Sequence, residues 1–190
     1  METPLTILYT YGLRGDLDVL PRLYNFIRQL KAHYREDVVQ VCADDPAAPA
    51  GRVLVLDLGE SCAPDVWHCQ VSDGRSTLVV FDGMGYDAAR VPDASLQRKM
   101  GDTVRLALVD EKTPREIGSS LLLTADAQPT TPDRLHIVMS PTEATALDGN
   151  RLTLAAVAGR QIGVAQLTQV VGRWMLTAHE VHDLPTRILP

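Results

Sequence analysis

Residues Arg52–Glu60 read R-V-L-V-L-D-L-G-E. Val53 to Leu56 is an unbroken apolar run that leads into Asp57, then Gly59 and Glu60. An apolar run bounded by turn residues predicts a strand buried on both faces. In α/β folds ligands sit beyond the C-terminal ends of such strands. Asp57 and Glu60 therefore stand where a phosphate or metal site would be built.

Upstream, Leu5–Thr10 (L-T-I-L-Y-T) predicts a second strand, ending in the glycine-punctuated turn Tyr11–Asp16. Leu20, Leu23, Phe26, Ile27 and Leu30 recur at three-and-four spacing, which predicts a helix over Leu17–Tyr34. Asp16 or Asp18 suits its N-cap and Pro21 its first turn. Glu36–Gly51 contains the apolar run Val38–Cys42 and then D-D-P-A-A-P-A-G, which reads as a surface loop.

Downstream, Pro64–Gln70 predicts a short helical turn and Asp73-Gly74 a chain reversal. Ser76–Phe81 (S-T-L-V-V-F) predicts another strand, closed by a second acid-and-glycine turn over Asp82–Asp87. Asp93–Met100 predicts a short helix. From Thr103 onward short β-rich runs follow one another, with a hairpin expected at Ala158–Gln161. The chain thus reads as a single domain over residues 1–190. Residues 1–101 form an α/β half and 102–190 a mainly β half.

The chain has 190 residues, is 45% hydrophobic and carries a net charge of −6. That balance argues against nucleic-acid partners and against anionic membranes. Aromatics at 5% leave little for stacking bases. No apolar run approaches a membrane span, and M-E-T-P-L-T lacks the parts of a secretion signal. Three cysteines, an odd number, predict a reducing, cytoplasmic setting rather than a disulfide frame. No phosphate-loop, nucleophile-elbow or dinucleotide-glycine motif is present.

Five stretches in order resemble the calcineurin-like metallophosphoesterases, in their 5′-nucleotidase branch. T-I-L-Y-T-Y-G-L-R-G (6–15) is similar to the strand leading into Asn-Asp-Leu-His-Gly, and V-L-V-L-D-L-G-E-S (53–61) to the strand ending in Asp-x-Gly-Asp. G-M-G-Y-D-A-A-R-V (83–91) resembles the Leu-Gly-Tyr-Asp-Ala segment before Gly-Asn-His-Glu. R-L-H-I-V-M-S-P-T (134–142) stands where the family has a strand leading to Gly-His-x-His, and residues 152–167 resemble its closing hairpin.

The resemblance implies an α/β fold, a layered sandwich of mixed β-sheets flanked by helices, in a shortened form. It also implies two-metal phosphoester hydrolysis, which needs a bridging carboxylate, histidines and an asparagine. Position by position these ligands are replaced. Gly12 and Arg14 stand for the first aspartate and histidine, and Glu60 for the second aspartate. Val91, Pro92 and Asp93 lie where Asn-His is expected, and Ser140 and Thr142 where His-x-His is expected. The resemblance therefore implies a catalytically silent relative without cofactor, binding a protein or small molecule. A phosphoesterase rebuilt on acids, with a divalent metal, is the enzymatic alternative. Self-association through the β-rich half is a third.

Asp57, Glu60, Asp82 and Asp87 are the candidate catalytic residues, since both apolar runs end in acid-rich turns. The competing reading makes Asp82 and Asp87 turn-formers and caps. Arg14 either holds an anion or fills the metal position, paired with Glu60 or Asp57. Cys62, His68 and Cys69 cluster, but C-x5-H-C lacks the paired spacing of a zinc site. They read as partly buried thiols beside a surface histidine. His179 and His182 would point to opposite faces of a strand, and His33 and His136 read as structural.

Overall fold

A computed structural model describes residues 3–41, 52–126 and 134–186. Val53 to Leu56 form the heart of strand β2 (Arg52–Asp57), and all of Val53 to Asp57 is buried. Strand β1 (Thr3–Thr10) runs parallel beside it, with Thr10 opposite Asp57. β3 (Ala88–Arg90) and β4 (Ala107–Val109) extend the parallel set. On the other side β1 pairs antiparallel with β10 (Gln161–Val170), and β10 with β11 (Arg173–Asp183). The sheet order is β11-β10-β1-β2-β3-β4, so the two halves of the chain share one sheet.

A second sheet has the order β5-β6-β7-β9-β8. Its strands are β5 (Arg115–Ile117), β6 (Leu121–Thr124), β7 (Leu135–Thr142), β8 (Ala146–Asp148) and β9 (Arg151–Ala155). Alternation along the strands builds two cores. Leu5, Ile7, Tyr9, Leu54 and Leu56 meet Leu121, Leu135, Ile137 and Leu152 between the sheets. Leu8, Val53 and Val55 face the other way, onto Leu23, Ile27, Phe81 and Leu96 of the helices. Those helices are α1 (Leu20–Val41), α3 (Arg75–Met84) and α4 (Ala94–Met100), with the short α2 (Trp67–Ser72) at the edge. No helix among the described residues is long and apolar enough to cross a membrane.

Four local expectations are corrected. Ser76–Phe81 belongs to α3, not to a strand. Thr77, Leu78 and Phe81 are buried at helical spacing, while Val79 and Val80 face outward at 50% and 38% exposure. A short apolar run does not by itself distinguish the two periods. α1 starts at Leu20, because the Asp16 carboxylate accepts the Asp18 amide and holds the preceding turn. It continues past Tyr34 and takes in Val38 to Val41, whereas the predicted loop after it lies mostly outside the described residues.

The turn at Ala158–Gln161 is real, closed by the Gln161 amide on the Ala158 carbonyl at 2.9 Å. It is not a hairpin, because β9 lies in one sheet and β10 in the other. The hairpin is β10–β11, turning at Val171-Gly172, both with positive φ.

The predicted helix at Asp93 is present, and Asp93 caps it. Its Oδ1 accepts the amides of Ser95 and Leu96 at 2.7 and 3.0 Å. Asp93→Ala is expected to lower stability by about 1 kcal/mol. Asp93→Asn keeps most of it, as urea titration of both variants would read out.

Candidate functional site

The parallel strands β1, β2 and β3 end together. Beyond their C-terminal ends the loops Tyr11–Asp16, Leu58–Ala63 and Val91–Asp93 come together. The Gly12 amide donates to the Gly59 carbonyl, Arg14 to Glu60 and Gly15 to Ser61, at 2.8 to 3.0 Å. Gly12, Arg14, Gly59 and Glu60 all have positive φ. Arg14 and Glu60 are held in a conformation that non-glycine residues adopt at a cost of order 1 kcal/mol. A cleft of about 600 Å³ opens here, lined in part by Glu60, Ser61, Arg90, Pro92, Leu96 and Glu111.

Asp57 is 1% exposed at the floor of this region. One carboxylate oxygen accepts the Thr10 hydroxyl at 3.2 Å. The other accepts the Gly59 amide at 3.2 Å and the Ser61 hydroxyl. Burial pushes the Asp57 carboxyl up to about 7, against the opposing pull of Ser61, Thr10 and Gly59. Tyr86 stacks on Phe81 and approaches the Thr10 hydroxyl at 3.1 Å. Its phenol is pushed well above the usual range by burial and then by the Asp57 charge.

Glu60 is exposed at the rim. Hydrogen bonding to Glu60 raises the Tyr11 phenol, with burial and the Glu60 charge adding to it and the Arg90 charge opposing. Arg90, the last residue of β3, thus lies close enough for its charge to act on Tyr11. Its guanidinium runs along Gly59, where an added Cβ would meet Nη1 at 3.6 Å. The Arg90 Nε is buried without a partner. Arg90 and Tyr11 were not singled out by the sequence. The available signal was a lone cation closing the apolar Ala88-Ala89 pair.

The other candidates fall elsewhere. Asp87 sits at the start of β3, where its Oδ2 accepts the amide of Val55, inside β2 and two residues before Asp57, at 2.8 Å. Asp82 sits within α3, and its Oδ1 accepts the amides of Arg105 and Leu106 at 2.7 and 3.0 Å, just before β4. Both are backbone clamps, so the four acids do not converge. Arg14 is exposed, and its side chain has no hydrogen bond or ion pair among the described residues, so it does not pair with Glu60 or Asp57. His179 bonds the Tyr9 hydroxyl at 2.9 Å, and His182 pairs with Glu180. His136 is buried against Thr124 at 2.6 Å. The expected free thiols are also corrected: Cys62 and Cys69 form a disulfide beside His68.

No protein-family profile matches the chain, and no curated protein sequence matches it. Among solved structures it is similar to the calcineurin-like phosphoesterase YfkN from Bacillus subtilis. The superposition has a TM-score of 0.51 at 11% identity, over 97% of this chain and 92% of that one. The fold is that of a calcineurin-like phosphoesterase.

The polar side chains at the C-terminal sheet edge are already engaged within the chain. The buried carboxylate, Asp57, already accepts three donors. Glu60 is shared with Tyr11, and a guanidinium lies close by. Among the described residues the one group of three metal-type ligands is Cys62, His68 and Cys69, whose cysteines line the same cleft and are oxidised at both sulfurs.

Proposed function

We propose that this chain is a metal-free, catalytically silent calcineurin-like domain that binds a ligand or partner in the cleft between Glu60 and Arg90. The observation that carries this reading is the environment of Asp57. Its carboxylate accepts Thr10, Gly59 and Ser61, so three of its four lone-pair sites are already engaged within the chain. The positions that the resemblance aligns with metal ligands support it. Gly12, Arg14, Val91, Pro92, Ser140 and Thr142 offer neither carboxylate nor imidazole, and of the two that keep a carboxylate, Glu60 and Asp93, the latter spends it on the cap of α4. The Arg90 guanidinium, lying along Gly59, brings positive charge to the edge where hydrolysis would need a cation. The enzymatic alternative required Asp82 and Asp87 to join Asp57 and Glu60, and they clamp backbone instead. Self-association through the β-rich half has no specific observation in its favour.

The test is hydrolysis of a generic phosphodiester with added manganese or iron, alongside elemental analysis of protein purified without chelator. The expected result is no turnover above the uncatalysed rate, whatever cation is supplied. Manganese-dependent cleavage that Glu60→Gln abolishes would overturn the reading.

A further inference from the structure

We propose that Cys62, His68 and Cys69 form a redox-gated site for a thiophilic divalent cation, zinc by preference, which the disulfide holds closed. The two cysteines line the same cleft as Glu60 and Arg90, but none of the three residues touches Asp57 or Glu60 among the hydrogen bonds and ion pairs of the described residues.

The geometry around His68 carries this. Its Nε2 lies 2.9 Å from the Gly15 carbonyl oxygen, which can only accept, so the proton of the neutral ring sits on Nε2. Nδ1 then bears the lone pair. It takes the Ser76 hydroxyl at 3.4 Å and lies 3.8 Å from the Cys69 sulfur. A metal-bound imidazole is normally fixed in this way, its far nitrogen donating to a carbonyl. Zinc–sulfur and zinc–nitrogen bonds of about 2.3 and 2.1 Å at a tetrahedral angle place the two ligand atoms about 3.6 Å apart. His68 and Cys69 are therefore already set at ligand spacing. The ligand atoms of all three residues lie within 4.8 Å of one another.

The sulfurs are built in as well. α2 carries His68 and Cys69 on adjacent positions, and the Ser72 hydroxyl donates back to the His68 carbonyl at 2.6 Å. Cys69 is 5% exposed, and a Cβ on Gly15 would meet its sulfur at 2.8 Å, so the β1–α1 loop packs directly on the site. Cys62 is half-buried, and both sulfur-bearing residues line the cleft, which gives a reductant access.

The switch balances simply. A dithiol reductant delivers two electrons and two protons to the S–S bond, giving two thiols while the reductant becomes a disulfide. The cation then displaces both thiol protons and is held by two thiolates and the imidazole, leaving a fourth position for water. A disulfide offers no thiolate, so the oxidised chain has no site. Opening the pair to the roughly 3.8 Å between two zinc-bound sulfurs is a local displacement within one short loop.

The experiment uses the full chain in a Cys42→Ser background, reduced with a phosphine and desalted without oxygen. It is titrated with cobalt(II), then with zinc(II). The expected result is one cobalt per chain, with thiolate charge-transfer bands and intense tetrahedral d–d bands that zinc abolishes. The oxidised protein gives neither. His68→Ala, which keeps both cysteines, weakens cobalt binding by at least about 100-fold, the upper end of what losing an outer-sphere partner alone costs. The proposal is overturned if the reduced chain shows no thiolate–cobalt bands, or if the oxidised chain binds equally well. Wild-type affinity in His68→Ala also overturns it, as does loss of far-ultraviolet dichroism on reduction, since the site needs α2 in place.

Discussion

Gly163→Ala is expected to destabilise the protein by about 3 kcal/mol or more. Gly163 lies in β10 directly opposite Tyr9 of β1, and the Tyr9 ring covers it. A Cβ added there would fall inside the ring. The ring cannot swing away. Tyr9 is fully buried between the sheets, and its hydroxyl bonds His179 at 2.9 Å and reaches Thr145 at 3.4 Å. Thr145 itself accepts the Ala155 amide at 2.9 Å, so moving Tyr9 disturbs both sheets. For a chain of this length, 3 kcal/mol corresponds to a fall in Tm of roughly 6–12 °C. Because the clash is with one side chain, Tyr9→Leu should make Gly163→Ala much less costly, and a double-mutant cycle by urea denaturation measures that coupling. Strictly additive effects would show that Tyr9 is not what the new methyl group meets.

The second large effect is in the pH dependence contributed by Asp57. Its carboxyl titrates at about 7 in the folded chain against a usual 3.8. The folded pKa is the higher one, so the folded state binds the proton more tightly than the unfolded state. The associated stability is fully present below about pH 4 and is lost as pH rises toward 7. The two values correspond to about 4 kcal/mol, at about 1.4 kcal/mol per pH unit. Asp57→Asn removes the charge and can keep the bonds. Its carbonyl accepts Gly59 and Ser61, and its amide donates to Thr10, whose proton can turn to Tyr86. The variant is therefore expected to match or exceed the wild type at pH 8 and to lose its advantage near pH 4. Urea midpoints of both proteins across this range measure the difference. Parallel profiles would refute the buried-carboxyl account. Asp57→Ala, which orphans three donors, should be destabilised at every pH.

Much of the architecture could be read from the residues. β2 was legible because Val53 to Leu56 is too short and too uniformly apolar for an exposed helix, and Gly59 marks its end. α4 was legible because Asp93 is an unambiguous cap. α3 was not, since T-L-V-V-F suits either period and only tertiary packing chooses which side chains are buried. The Ala158–Gln161 turn is legible in the sequence but its partners are not, because local turn chemistry carries no information on which sheet each flanking strand joins. At the candidate site, Asp57 and Glu60 were correctly placed at a strand end. Asp82 and Asp87 looked equivalent in sequence, yet helix α3 reverses the chain between β2 and β3 and both end as backbone clamps. Arg90 gave no signal until β3 was laid beside β2. The disulfide was missed because an odd cysteine count says nothing about which two sulfurs are neighbours.

The pairing of β1 with β10 has a consequence for how the chain is made. β2 can join one side of β1 within seconds of that strand's synthesis. The other side of β1 is completed by a strand that begins at Gln161. At a synthesis rate of about 5–20 residues per second, that side stays unpaired for roughly 10–30 s. The nascent chain therefore carries an open strand edge until β10 follows. Closure of the larger sheet waits until β10 has been made.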